Sequence, residues 1–152
     1  MKRYTKTFVT ALAFAALFAG SAFGQEARVT AQSTRSYEQT IDKLKGAVSQ
    51  GGMMVMAQVD QGNMLSMAGL KLKATLFLVG NPTVGKKLFE QNHGVGLYVP
   101  LRVFVTEDKD GKTYVSYDKP SALLKQFNNP EISGVATMLD QKLEGLAQMA
   151  TH

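Results

Sequence analysis

The chain has 152 residues, with 17 basic and 12 acidic side chains, two histidines and no cysteine. The lack of cysteine excludes disulfides, thiol nucleophiles and thiolate metal sites. Lys2, Arg3 and Lys6 lie in a segment that we expect to be removed, which leaves 14 basic and 12 acidic residues and a net charge of +2. So small a charge argues against a nucleic-acid-binding protein.

Residues 1–24 have the pattern of a secretory signal peptide. The positive cluster is followed by an apolar run of roughly a dozen residues, shorter than the about 20 that cross a membrane. Ala22-Phe23-Gly24 then supplies small residues for cleavage before Gln25. The sequence therefore predicts a periplasmic or secreted protein, with no membrane anchoring after cleavage and a single mature domain at residues 25–152.

The first half of that domain alternates between strand and helix patterns. We predict a first strand at 28–33, then an amphipathic helix capped by Ser36 with Gln39 in the capping-box position. The apolar run 53–59 predicts a buried second strand. A turn at 60–63 and a short helix at 64–68 are expected to follow.

The second half contains two Asn-Pro helix starts. Strands are predicted at 74–79, 101–106 and 113–117. Asn81-Pro82 and Asn129-Pro130 each place a capping side chain before a proline in the first helical turn, and Pro120 opens another short helix. Asp110-Gly111 suits a tight hairpin turn between the last two strands.

This order of elements predicts an α+β fold in two layers. We expect one mixed sheet of about five strands, with helices packed mainly on one face and an extra C-terminal helix at about 130–150. A strictly parallel sheet is disfavoured because the hairpin requires an antiparallel pair.

Four sequence blocks resemble one known family. They are TIDKLK at 40–45, AGLKL at 68–72, LVGNPTVG at 78–85 and GLYVPLRV at 96–103, the last leading to Glu107-Asp108 and Val115-Ser116-Tyr117. The chain resembles domain-of-unknown-function family 302 over about residues 30–127. The resemblance implies a compact α+β domain, often a homodimer, with no agreed catalytic residues to carry over.

Asn81 and His93 are the first two candidate ligand-binding residues. Gly80-Asn81-Pro82 places a helix N-terminus after a buried strand, where exposed N–H groups can hold an anion, although helix capping alone also explains the asparagine. His93 can serve as a haem ligand or proton carrier, or simply lie in an exposed loop beside Gly94. A lone histidine does not make a zinc site.

Arg102 and Tyr117 complete the candidate ligand-binding set. Arg102 interrupts an apolar strand, where an arginine is costly unless Glu107, Asp118 or a ligand carboxylate meets it. A structural ion pair or an edge position explains it equally. Tyr117 ends the last of the blocks that carry the resemblance.

Five methionines fall within fifteen residues of one another: Met53, Met54, Met56, Met64 and Met67. Thioethers bind Cu(I), so Met54, Met56, Met64 and Met67 are candidate metal ligands. The alternative is adaptable core packing, which methionine also performs and which we expect here.

Three functions remain open from the sequence. The first is a non-enzymatic exported protein that binds a small molecule or a protein partner and acts as a homodimer without a cofactor. The second is periplasmic copper or haem handling through the methionines and His93. The third is a small hydrolase or isomerase that uses Arg102 with Glu107. The sequence favours the first because no recognisable catalytic set is present.

Overall fold

Five strands form one sheet in the structure, a computed structural model that describes residues 27–152. The predicted signal peptide lies outside these described residues. The strands are β1 (Arg28–Gln32), β2 (Met54–Asp60), β3 (Ala74–Gly80), β4 (Leu101–Glu107) and β5 (Thr113–Asp118). Their spatial order is β1-β5-β4-β3-β2, so β1 and β2 are the two edges.

Every strand pairing in this sheet is antiparallel. The predicted α+β class and the count of five strands are confirmed, but the prediction of a mixed sheet is wrong. The reason is that the helices between β2 and β3, and between β3 and β4, connect neighbouring antiparallel strands and do not cross over between parallel ones.

Five α-helices accompany the sheet: α1 (Tyr37–Gln50), α2 (Gln61–Ser66), α3 (Pro82–Gln91), α4 (Pro120–Leu124) and α5 (Pro130–Thr151). Short 3₁₀ helices occupy His93–Leu97 and Lys125–Phe127. None of the helices within residues 27–152 has both the length and the apolar character needed to cross a membrane.

The predicted starts of α1 and α5 are confirmed by their side-chain caps. Ser36 and Gln39 form a reciprocal capping box at the start of α1. Asn129 accepts a hydrogen bond from the backbone N–H of Ile132 at the start of α5. The helix predicted at 64–68 instead begins at Gln61, because Asp60 accepts from the N–H of Asn63 and so caps an earlier first turn.

One face of the sheet packs against the helices and forms the core. The buried strand residues on this face are Phe77, Val79, Leu101, Val103, Val105 and Val115. They share one hydrophobic cluster with Leu44 and Val48 of α1 and with Leu139 and Leu143 of α5. The long helix α5 is therefore an integral part of the core of this fold.

The opposite face of the sheet carries half-buried and exposed side chains. Leu76, Leu78 and Phe104 are half-buried and stand outside the core cluster, and Arg102 is exposed between them. We call this surface the open face. Arg102 needs no internal partner there, because its guanidinium group remains in contact with water.

The second strand is not buried as predicted. Strand β2 lies at the sheet edge, and its register with β3 shifts between Val55 and Ala57, which marks a β-bulge. Met54 is 51% exposed and Met56 is 44% exposed. Bulges are common at such edges, where they help to prevent strand pairing with other chains.

Candidate functional site

A cavity of about 330 Å³ lies at the end of the sheet where β3 stops and β4 begins. Its walls come from the end of β3, one side of α3, the segment Val99–Leu101, the start of β2 and Leu139 of α5. Nearly all of these lining groups are apolar. Ligand-binding cavities in proteins begin at about this size and are mostly apolar, so this is the candidate site.

One side of helix α3 forms a wall of the cavity. Gly85, Leu88 and Phe89 all line it, and residues three and four positions apart lie on the same side of a helix. A Cβ atom added to Gly85 would meet no other atom within 4 Å. The glycine therefore leaves open space on the side of α3 that faces the cavity.

Asn81 lines the cavity, and its side-chain amide makes three hydrogen bonds within the protein. Its Oδ1 accepts from the N–H groups of Thr83 at 2.8 Å and Val84 at 3.2 Å, and its Nδ2 donates to the carbonyl of Gly52 at 2.7 Å. The N–H of Gly85 is bonded to the carbonyl of Asn81. Since Pro82 has no N–H, the first turn of α3 has no free donor for an anion.

Replacing Asn81 with alanine is expected to lower the free energy of unfolding by about 1–2 kcal/mol, the usual cost of losing an asparagine cap. Two backbone donors and the Gly52 carbonyl would all lose their partner. Urea denaturation followed by circular dichroism measures this change. Asn81→Asp keeps the cap acceptor but places a carboxylate oxygen beside the Gly52 carbonyl, so it should recover part of the lost stability; equal losses in both variants would contradict the capping role.

The glycine of the Gly80-Asn81-Pro82 block is closely packed against its neighbours. A Cβ atom at Gly80 would lie 3.2 Å from the Cε of Met56 and 3.7 Å from the Cβ of Pro100. The Met56 side chain therefore lies across Gly80 at the rim of the cavity, with Pro100 beside it. The peptide bond before Pro100 is cis.

Two other predicted ligand-binding residues lie away from the cavity. His93 is exposed at the start of a 3₁₀ helix. Tyr117 is 5% exposed and faces the core from β5. Burial raises the pKa of its phenol, and the carboxylates of Glu144 and Asp140 raise it further, so Tyr117 is a neutral core residue at physiological pH.

Arg102 and Glu107 do not form a catalytic pair. They stand five residues apart on β4, about 16 Å along an extended strand, and they point to opposite faces. Glu107 pairs with Lys73 at 3.3 Å, and Asp118 pairs with Arg28 at 2.8 Å. Within residues 27–152, Arg102 takes part in no ion pair.

The methionine cluster is divided between the two ends of β2. Met54 and Met56 lie near its first residue, whereas Met64 and Met67 follow its last residue, roughly 20 Å away along a seven-residue strand. Met64 is 56% and Met67 is 82% exposed, so the expected core packing of these methionines is wrong. Nowhere within residues 27–152 do three histidine, aspartate or glutamate side chains come together as a metal site.

A second, more open cavity of about 310 Å³ lies beside α2 and is lined mostly by polar residues. One of its two lysines, Lys73, is bonded to Glu38 at 3.0 Å and Glu107 at 3.3 Å, and lies over the ring of Tyr37. The ion pair with Glu38 lowers the pKa of Glu38 and raises that of Lys73. The position of Lys73 is therefore explained by structural ion pairs.

The family match covers the two sequence blocks, 78–85 and 96–103, that contribute residues to the cavity. The model of the family described as domain of unknown function DUF302 matches residues 29–150. The chain belongs to the DUF302 family. The match extends through α5, beyond the residues 30–127 over which the sequence resembles the family, in agreement with the packing of α5 into the core.

Three curated relatives of this DUF302 chain are named fluoride-specific ion channels. FluC 1 of Brucella suis is 33% identical over 109 residues, which are 71% of this chain and 43% of the relative. FluC 1 of Brucella abortus and FluC 2 of Brucella melitensis have the same identity over 40% of their length. The chain thus spans less than half the length of the curated relatives that it matches.

A solved DUF302 structure has the same fold. The uncharacterized conserved DUF302 protein from Bacillus stearothermophilus superimposes with a TM-score of 0.76 at 22% identity, over 82% of this chain and 98% of that one. At this level of identity the likeness concerns the fold alone.

The sequence singled out two cavity residues, Asn81 as a candidate ligand-binding residue and Met56 as a candidate metal ligand, and missed most of the apolar walls. Gly85, Phe89 and Pro100 carry no chemical signature that marks them as site residues. A signal was nevertheless present, because Gly85 and Pro100 belong to two of the four blocks that carry the family resemblance. The structure brings these two blocks together around one cavity.

Proposed function

We propose that this DUF302 domain is an exported, non-enzymatic protein that binds a small apolar molecule in the cavity beside α3. The observation that carries the proposal is the convergence of the blocks at 78–85 and 96–103 on one apolar cavity. Burial of apolar surface in such a cavity stabilises a complex by about 25 cal/mol per Å².

The chemistry of the cavity walls supports binding over catalysis. The one amide that faces the cavity, that of Asn81, is occupied by three hydrogen bonds. His93, Tyr117 and Glu107, which carry the acid–base groups considered from the sequence, lie elsewhere. Catalysis requires such groups within hydrogen-bond reach of the reacting atoms, so we do not propose an enzymatic role.

Export and self-association are part of the same proposal. The signal pattern at residues 1–24 supports export, and the family resemblance supports a homodimer. Native mass spectrometry of the full chain after expression in a Gram-negative host tests both. We expect a periplasmic species that begins at Gln25 with twice the subunit mass; a cytoplasmic protein with Met1 retained would contradict export.

A second candidate function is binding to a fluoride channel as its protein partner. It is favoured by the 33% identity to part of three chains named fluoride-specific ion channels. A strain that lacks this protein would then grow more slowly in millimolar sodium fluoride, and growth would recover when the gene is restored. Equal growth of both strains at every fluoride concentration would reject this role.

Ligand extraction tests the binding function. Protein purified from the periplasm is extracted with organic solvent, and the extract is analysed by mass spectrometry. We expect an apolar compound in molar proportion to the protein, and a saturable heat when ligand-stripped protein is titrated with 1-octanol. An empty extract together with no saturable binding of 1-octanol or of sodium octanoate would overturn the proposal.

A further inference from the structure

The interior of the cavity has no group to hold a charge. Its lining residues include no acidic side chain, and the amide of Asn81 already makes three hydrogen bonds within the protein. The part of a ligand that enters must therefore be apolar, because an unpaired polar group would lose its hydrogen bonds to water there.

One basic side chain, in contrast, lies at the edge of the cavity. Lys86 lines the cavity while its side chain remains 75% exposed, so its aliphatic part covers the wall and its ammonium group lies at the opening. It contacts Glu90 at 3.6 Å, a solvent-exposed pair of low strength that leaves the ammonium group accessible to a ligand.

A second cation lies next to the Pro100 rim on the open face. Arg102 is opposite Leu78 in the register of β4 and β3, and Gly80 lies two residues beyond Leu78 on the same side. A Cβ atom added to Gly80 would point toward Pro100 and Met56, both of which line the cavity. Arg102 is exposed, and it lacks an ion-pair partner in residues 27–152.

We propose that the natural ligand is a monocarboxylic acid whose apolar body fills the cavity and whose carboxylate lies at the opening with Lys86 and Arg102. This inference rests on the proposed binding function and specifies its ligand class. Charge complementarity supports it, because Lys86 lines the cavity, Arg102 stands two residues along the chain from the lining residue Pro100, and no lining residue is acidic. Lysine and arginine both form charge-assisted hydrogen bonds with carboxylates.

The size of the cavity limits the apolar body. At about 30 Å³ for each water-sized group, a cavity of about 330 Å³ holds roughly ten non-hydrogen atoms. A medium-length alkyl chain or a single aromatic ring with a short side chain fits this volume, whereas a long membrane-lipid chain would extend out of it. Sodium octanoate is therefore a suitable probe, and 1-octanol is its uncharged counterpart.

The test compares these two probes by isothermal titration calorimetry on the ligand-stripped mature protein. We expect octanoate to bind about tenfold more tightly than 1-octanol at low salt, the scale of two partly exposed charge contacts. The preference should shrink in 1 M sodium chloride, because salt screens exposed charges.

Three single variants and one double variant identify the groups responsible. Lys86→Gln and Arg102→Gln should each weaken octanoate binding by about threefold and have a smaller effect on 1-octanol, which lacks the carboxylate. The double variant should bind both probes within about twofold of each other. Lys87→Gln removes the same charge from the same helix at a residue that does not line the cavity, and it should behave as the wild type.

The two proposals fail in different ways. Tight binding of 1-octanol with no preference for octanoate would overturn the carboxylate assignment and leave the binding function intact. No binding of either probe would overturn both. An octanoate preference that survives in the double variant would show that Lys86 and Arg102 do not recognise the carboxylate, and would also overturn this inference.

Discussion

Replacing Gly85 with leucine is expected to weaken the binding of 1-octanol and octanoate by about tenfold or more, with no loss of stability. Position 85 is on the cavity side of α3 and has open space where the new side chain would lie. A leucine in a helix is favoured over glycine by about 0.5–1 kcal/mol, so the free energy of unfolding should stay equal or rise. Calorimetry and urea denaturation measure the two quantities.

The matched control for this variant is Gly46→Leu in α1. Gly46 is also a helical glycine whose Cβ would meet nothing within 4 Å; it is exposed, where Gly85 is half-buried, and it does not line the cavity. We expect a similar change in stability and unchanged binding of both probes. Normal binding in Gly85→Leu, or an equal loss of binding in Gly46→Leu, would place the ligand somewhere other than in this cavity.

Replacing Phe77 with alanine is expected to lower the free energy of unfolding by about 3–5 kcal/mol, the usual cost of such a truncation in a core. Phe77 is fully buried on the helix-covered face of β3, an interior strand between β4 and β2. The cavity left behind would be lined by rigid strand and helix residues. Urea denaturation monitored by circular dichroism measures the loss.

Two comparison variants make this result specific to burial. Phe77→Leu keeps most of the apolar volume and should cost less than the alanine variant, about 1–2 kcal/mol. Leu97→Ala removes a side chain that is 83% exposed and should change stability by no more than about 0.5 kcal/mol. A loss below about 1 kcal/mol in Phe77→Ala would contradict the position of Phe77 in the core.

The local elements of the fold were predictable from short patterns. The Ser36–Gln39 capping box and the caps at Asn81 and Asn129 depend on hydrogen bonds that span three residues, so the sequence contains all the necessary information. The hairpin between β4 and β5 follows in the same way from Asp110-Gly111, where Gly111 has a φ of +77°.

The order of the strands was not predictable in this way. Whether the apolar run at 53–59 is central or at an edge depends on which strands it pairs with, and that is a long-range property. The exposed Met54 and Met56 followed from this edge position and from the bulge. Short apolar runs look alike in either place, so the buried strand was the wrong prediction.

The candidate site was predictable in part, for the same physical reason. Asn81 could be selected because an amide before a proline has recognisable chemistry. The cavity itself requires Leu139 of α5 to meet the start of β2 and the Pro100 segment, contacts between residues that are far apart in the sequence. Apolar walls built from such contacts leave no local pattern.

The most direct test of the account is an NMR titration of protein labelled with ¹³C at the methionine ε-methyl groups. Met53 and Met56 line the cavity, whereas Met67 and Met149 are exposed and do not line it. On addition of octanoate or 1-octanol, the account predicts saturable shifts of the Met53 and Met56 methyl signals with Met67 and Met149 unchanged. Uniform small shifts of all methionines, or no shift with either probe, would contradict it.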